Sequence, residues 1–238
     1  MSDISSLIRR DLLDMAGYEP IEPPQVLAEA LGIPAERVLK LDGNENPYGS
    51  SPKALAALAS LEAAHIYPDP QQRRLRSALA AYTGLGEEQL VAGSGSDELI
   101  DLIIRLFLGH DDGVITCPPT FAMYGFSARV AGAPVMAAPR RHNFSLDMKA
   151  IAACRERGGK LIFVASPNNP TGNLLSEAEL EGLLDMGLIV VVDEAYGEFA
   201  GQSFADRVGA GPGARPYPSL IVLRSFSKWA GLAGLRVG

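Results

Sequence analysis

The side chains best suited to chemistry in this chain stand directly behind short apolar runs. SFSKWAGLAGLRVG (225–238) places Lys228 after a predicted strand and Arg236 eight residues later. A lysine enclosed at a strand end loses charge by desolvation and becomes a nucleophilic amine; taken alone, Lys228 reads as a solvated lysine beside a loop. Ser225, Ser227 and Arg236 add hydroxyl and guanidinium donors suited to an anion. GSGSDE (93–98) is a glycine-rich turn opening a helix, so Gly95, Ser96 and Asp97 can offer free N–H groups and a positive dipole end to a phosphate. It fits neither the GxGxxG nor the P-loop pattern. Ser96 can instead cap the helix, with Asp97 and Glu98 complementing its dipole. That acidic pair suits a phosphate only if the carboxylates turn away and the amides alone are used.

Asp193 closes the run VVVDEAY, where a carboxylate is costly to bury without a partner. A protonated heteroaromatic nitrogen is one such partner, and loop amides are another. Tyr196 and Asn169 can hydrogen-bond a ring oxygen, and Phe121 offers a flat face for stacking. Singly these are packing, turn-forming and core residues. Together they supply an amine, a phosphate cradle, a ring-nitrogen carboxylate and a stacking aromatic.

Strands must deliver them. The runs GVITC (113–117), APVMAAP (133–139), KLIFVAS (160–166), LIVVVDEA (188–195) and SLIVLRS (219–225) are continuously apolar rather than alternating, as expected of strands covered on both faces. QLVAG (89–93) reads as a further short strand. Helical patterns stand at 4–15, 26–31, from Pro52 through Ala64, at 71–82, at 96–108 and at 176–186. In the helix 96–108, Asp101 and Arg105 are spaced i,i+4, and its other residues after the first turn read as buried. Ser176 and Glu179 form a capping-box pattern. The alternation predicts an α/β fold, a mostly parallel open sheet with helices on both faces. Ligands in such sheets bind outside the carboxyl ends of the strands, where all the polar motifs above fall. Residues 1–48 read as an N-terminal arm with the proline-rich strip YEPIEPP (18–24), and residues 49–238 as one large domain; GAGPGARPYP (209–218) is too short for a domain linker.

Composition narrows the class. The chain has 238 residues, 47% hydrophobic and 21% charged, an ordinary globular balance. With 21 basic against 28 acidic residues the net charge is −7, and an acidic chain without basic runs is a poor ligand for nucleic acid. His65, His110 and His142 lack metal-ligand spacing, Cys117 and Cys154 form no CxxC pair, and no apolar run approaches the ~20 residues that span a bilayer. A reducing, cytoplasmic setting is the expectation.

From residue 41 to the end, the ordered motifs LDGNENPYG, IYPDP, GSGSDELI, CPPTFAMY, SPNNPTG, VVDEAY and SFSKWAGLAGLRVG resemble the fold-type I pyridoxal-phosphate enzymes of the class I/II aminotransferase family, most closely its histidinol-phosphate branch. The resemblance implies pyridoxal 5'-phosphate as cofactor, with Lys228 forming the Schiff base and acting as general acid/base. It implies Asp193 at the ring nitrogen, Tyr196 and Asn169 at the ring hydroxyl, and Phe121 stacked on the ring, where the branch commonly carries tyrosine. Ser96 and Asp97 amides next to Gly95, with Ser225, Ser227 and Arg236, would hold the phosphate. Tyr67 would reach the site of a neighbouring subunit, implying a homodimer, and Asn44 would lie near the substrate entrance. The implied reaction moves an amino group between histidinol phosphate and 2-oxoglutarate. Aromatic amino-acid transamination, threonine-phosphate decarboxylation and a non-catalytic cofactor-binding fragment are the alternatives. Family members continue beyond the lysine–arginine motif into a small domain that clamps the substrate carboxylate, so the chain is expected to be C-terminally truncated.

Overall fold

The computed structural model describes residues 4–17, 21–208 and 217–238. Strands β1 (Gly113–Thr116), β2 (Val135–Ala137), β3 (Gly159–Ala165), β4 (Ile189–Asp193) and β5 (Leu220–Leu223) form a sheet in the order β2-β1-β3-β4-β5. Each neighbouring pair is parallel. The helices are α1 (Arg10–Leu13), α2 (Pro24–Leu31), α3 (Pro52–Ala59), α4 (Arg73–Thr83), α5 (Ser96–Phe107), α6 (Met123–Ala131), α7 (Met148–Glu156), α8 (Glu177–Asp185) and α9 (Gly197–Ala200).

Strand alternation divides the core into two layers. Ile115, Ile162, Val164, Val190 and Val192 pack with Ile151 and Cys154 of α7 and with Leu180 and Leu183 of α8. Val114, Leu161, Phe163 and Val191 pack on the other face with Ile100 and Ile104 of α5 and with Tyr124 and Ala128 of α6. Helices thus cover both faces, which is why these strands carry apolar residues at consecutive positions. The capping box of α8 is formed: Ser176 Oγ accepts from Glu179 N at 3.3 Å, and Glu179 Oε2 accepts from Ser176 N at 3.0 Å. Asp147 caps α7 by accepting from the amides of Lys149 and Ala150.

Several expectations need correction. QLVAG forms no strand; Glu87–Gln89 is a 3-10 turn, Leu90 is extended and residues 91–93 carry no regular secondary structure. Gly93 pairs reciprocally with Gly238, Gly93 N donating to Gly238 O at 2.9 Å and Gly238 N to Gly93 O at 3.2 Å. The helix beginning at Pro52 stops at Ala59 and does not reach Ala64, with Ser60 closing it through its N–H to Ala56 O. In α5 the Asp101–Arg105 ion pair is present at 2.6 Å, but Leu102 and Leu106 are exposed, because they lie on the stripe turned away from the sheet. Tyr18–Pro20 of the proline-rich strip and residues 209–216 of the later loop lie outside the described residues.

The strand order places the site. β1 is flanked by β2 on one side and β3 on the other, so the connections depart in opposite directions and leave a crevice at the carboxyl ends of β1 and β3.

Candidate active site

A cleft of about 250 Å³ opens at that edge. Its lining includes the segment Asp42–Asn44, the start of α5 (Ser96, Asp97), the β1–α6 loop (Phe121), the loop after β3 (Asn169), the end of β4 and the turn behind it (Asp193, Tyr196) and the segment after β5 (Ser225, Ser227, Lys228, Arg236). The sequence-expected residues therefore meet, Gly95 included as the residue preceding α5. Tyr67 is the exception: it is almost fully exposed and does not line the cleft of its own chain.

At the floor, Asp193 is the last residue of β4, in register with Ala165 of β3 and Leu223 of β5. Parity puts its side chain on the same face as Val191, toward α6. There Tyr124 Oη donates to Asp193 Oδ2 at 2.6 Å, and Ala195 N donates to Oδ1 at 3.0 Å. One loop amide is thus satisfied by the carboxylate, as one of the sequence readings allowed, but the shorter bond comes from a tyrosine the sequence did not single out. Burial pushes the Asp193 carboxyl above the ordinary carboxylate range, while the Tyr124 bond opposes that shift. Glu194, one residue on, points to the opposite face, where Ser203 Oγ and Phe204 N each donate to it at 2.6 Å.

The aromatic wall follows from the helix that supplies Tyr124. Phe121 meets the Tyr124 ring edge-on at 5.5 Å and 82°, and Tyr124 stacks on Phe163 at 4.9 Å and 4°. Behind it, Asn168 ties the β1 and β3 loops together, accepting from Thr120 Oγ1 at 2.8 Å and donating to Pro119 O at 3.0 Å. Asn169, the next residue, faces the cleft.

At the opposite end Ser96, Asp97, Ser225, Ser227 and Arg236 line the cleft. Gly95 adopts φ +81°, and a Cβ there would stand 2.6 Å from the Arg236 guanidinium. Ser96 is the first residue of α5 rather than its cap, and its buried Oγ has no hydrogen-bond partner among the described residues. A buried hydroxyl left unpaired at a helix N-terminus, beside Ser225 and Arg236, is what a phosphate oxygen would satisfy. Both acidic neighbours turn away from the first amides: Glu98 folds back to accept from Ser94 N, and Asp97 Oδ2 accepts from Arg236 Nη2 at 3.3 Å. Ser225 Oγ donates to Ser227 Oγ at 2.9 Å.

Between these two ends stands Lys228. Its half-buried amine donates to Gly43 O at 3.0 Å, and desolvation lowers its pKa below the usual lysine value, against the attraction of Glu45 and Asp97. Asn44 Nδ2 donates to Tyr196 Oη at 3.0 Å. The segment 42–44 therefore closes the cleft from above. Trp229, which follows the lysine, stacks on Tyr82 at 5.7 Å and 7°, away from the reactive atoms.

The sequence reading missed Tyr124, Asn168 and the carbonyl of Gly43. Tyr124 carried a signal, since it lies one helical turn from Phe121 in CPPTFAMY. Gly43 carried none, because a backbone carbonyl is present at every residue.

Residues 36–238 match the sequence profile of the family Aminotransferase class I and II. The chain belongs to that family. Among class I and II aminotransferases, it is 53% identical over 243 residues to a histidinol-phosphate aminotransferase of Roseiflexus castenholzii, covering 100% of this chain and 64% of that protein. It is 49% identical over 234 residues to a chloroplastic histidinol-phosphate aminotransferase of Arabidopsis thaliana, covering 98% and 55%. The chain thus spans under two thirds of the length of these curated relatives. The crystal structure of a histidinol-phosphate aminotransferase from Sinorhizobium meliloti, in complex with pyridoxal-5'-phosphate, superposes with a TM-score of 0.78 at 24% identity, covering 98% of this chain and 62% of that one. At that identity the likeness concerns the fold. Among the described residues no helix is long and apolar enough to cross a membrane.

Proposed function

We propose that this chain holds pyridoxal 5'-phosphate and, as part of the aminotransferase its relatives represent, moves an amino group between histidinol phosphate and 2-oxoglutarate. The observation that carries the reading is the cleft itself: a desolvated lysine stands between a buried carboxylate at one end and an orphaned hydroxyl beside an arginine at the other. When bound, such a cofactor supplies an aldehyde for an amine and a ring that withdraws electrons while its nitrogen stays protonated.

The chain's own residues do the rest. The Ser96 hydroxyl, the first amides of α5, Ser225, Ser227 and Arg236 bind the phosphate, and Gly95 leaves room for the guanidinium. Phe121 covers one face of the ring. Asp193, held by Tyr124 and Ala195, keeps the ring nitrogen protonated, and Tyr196 and Asn169 orient the ring hydroxyl. Lys228, with its pKa depressed by burial, holds its amine neutral more readily than a surface lysine and so both attacks a carbonyl carbon and carries a proton between neighbouring atoms. Asn44 lies where substrate enters. A homodimer in which Tyr67 serves the neighbouring site, and a cytoplasmic setting supported by two buried free cysteines, belong to the same proposal.

Adding pyridoxal phosphate to the purified chain should produce visible absorbance that Lys228→Ala abolishes; equal spectra for the two would sink the cofactor assignment. Turnover of histidinol phosphate, phenylalanine and threonine phosphate by the protein then tests the substrate. Activity restricted to either of the last two replaces histidinol phosphate. Binding without turnover marks a cofactor-holding fragment.

A further inference from the structure

The segment 42–50 crosses the lysine turn and grips it at several points. Asn46 Nδ2 donates to Lys228 O at 3.2 Å and to Trp229 O at 3.0 Å, using both amide hydrogens on two successive carbonyls. The other side of the same amide is also committed, since Asn46 Oδ1 accepts from Tyr48 N at 3.0 Å. Four residues on, Ser50 Oγ donates to Gly231 O at 2.6 Å. The backbones touch between those two grips: Gly231 has φ +65°, and a Cβ there would stand 2.4 Å from Gly49 O. Three residues before Asn46, Gly43 O accepts from the Lys228 amine. One short strap thus holds the lysine by both its main chain and its side-chain tip.

We propose that Asn46 is a positioning residue: by clamping the carbonyls of Lys228 and Trp229 it fixes where the Lys228 amine enters the cleft, and so sets how fast that amine captures a carbonyl. The residue type follows from donor arithmetic. Two carbonyls facing one side chain need two hydrogens and no negative charge; an amide supplies both, whereas a carboxylate only accepts. The clamp touches neither the phosphate cradle nor the Asp193 floor. It therefore governs the approach of the amine and not the affinity of the cleft for the ring.

The inference rests on the cofactor reading, and its test separates the two. In the capture step the neutral lysine nitrogen forms a bond to the aldehyde carbon of pyridoxal phosphate, and the aldehyde oxygen leaves as water. Borohydride then delivers hydride to the resulting C=N bond and fixes the adduct as a secondary amine for mass analysis. Pyridoxamine phosphate fills the same cleft but has no aldehyde, so its dissociation constant reports binding alone. For the 238-residue chain carrying Asn46→Ala, we expect capture at Lys228 to slow about tenfold or more while pyridoxamine phosphate affinity stays within about threefold. Ser50→Ala, which frees the same strap farther from the lysine, should leave capture within about threefold. Wild-type capture in Asn46→Ala, an equal loss of pyridoxamine phosphate affinity, or an equal effect of Ser50→Ala would each overturn the assignment. If circular dichroism finds Asn46→Ala unfolded, Asn46→Ser, which retains one donor, must give an intermediate rate, and wild-type capture there overturns it equally. Failure of the wild-type chain to bind pyridoxamine phosphate defeats the cofactor reading beneath it.

Discussion

Asp193 and Tyr124 show how one buried residue needs another. The carboxylate sits at the end of a wholly apolar strand, and two donors reach it. Tyr124→Phe keeps the ring packed against Phe163 and Phe121 but strips Asp193 Oδ2 of its bond. Leaving a buried acceptor unpaired costs about 1–3 kcal/mol, so urea unfolding of the cofactor-free chain should show a loss of that order. The sign of the pH effect follows from burial. Since the folded state raises the Asp193 pKa above its unfolded value, the associated stability is fully present below the ordinary carboxyl range and is lost as pH rises through the raised value. Asp193→Asn should therefore resist urea better than wild type near neutrality. The gap should close as the pH falls below about 4, where the unfolded carboxyl is also protonated. A gap that widens in acid would contradict the burial argument. The same variant should bind pyridoxal phosphate more weakly, because an amide offers the ring nitrogen no negative charge.

The α5 entry turn joins local conformation to ligand geometry. Gly95 is held at φ +81°, a region L side chains rarely adopt, and its missing Cβ is the space the Arg236 guanidinium fills. Gly95→Ala would meet both penalties, so the thermal midpoint should fall and pyridoxamine phosphate affinity should drop at least tenfold, on the order of the 1.4 kcal/mol that separates decades of affinity. Calorimetry can read both quantities from one sample. At α8 the capping-box residues Ser176 and Glu179 do not line the cleft. Ser176→Ala should cost about 1 kcal/mol of stability and leave pyridoxamine phosphate affinity unchanged, which makes it a control for Gly95→Ala.

For the whole molecule, a parallel sheet gathers residues from nearly the full sequence at one edge, and the segment 42–44 closes the cleft from above. The exposure of Tyr67 suits the proposal that it completes a neighbouring copy's site. If so, sedimentation should show a dimer, and Tyr67→Ala should weaken pyridoxamine phosphate binding while leaving the melting temperature of the chain near wild type. A monomer binding pyridoxamine phosphate with unchanged affinity after that substitution would remove Tyr67 from the site.

The sequence by itself determined the parallel sheet, the strand ends that carry Lys228, Asp193 and Asn169, and the glycine turn before α5. Each is a local matter of apolar run length, turn chemistry or residue type within a few positions. Tertiary structure decided which side chains meet. Tyr124 reaches Asp193 across 69 residues, Asn44 reaches Tyr196 across 152, and Asn46 reaches the Lys228 carbonyl across 182. Those contacts depend on which face of the sheet each helix covers and on where the strap crosses it.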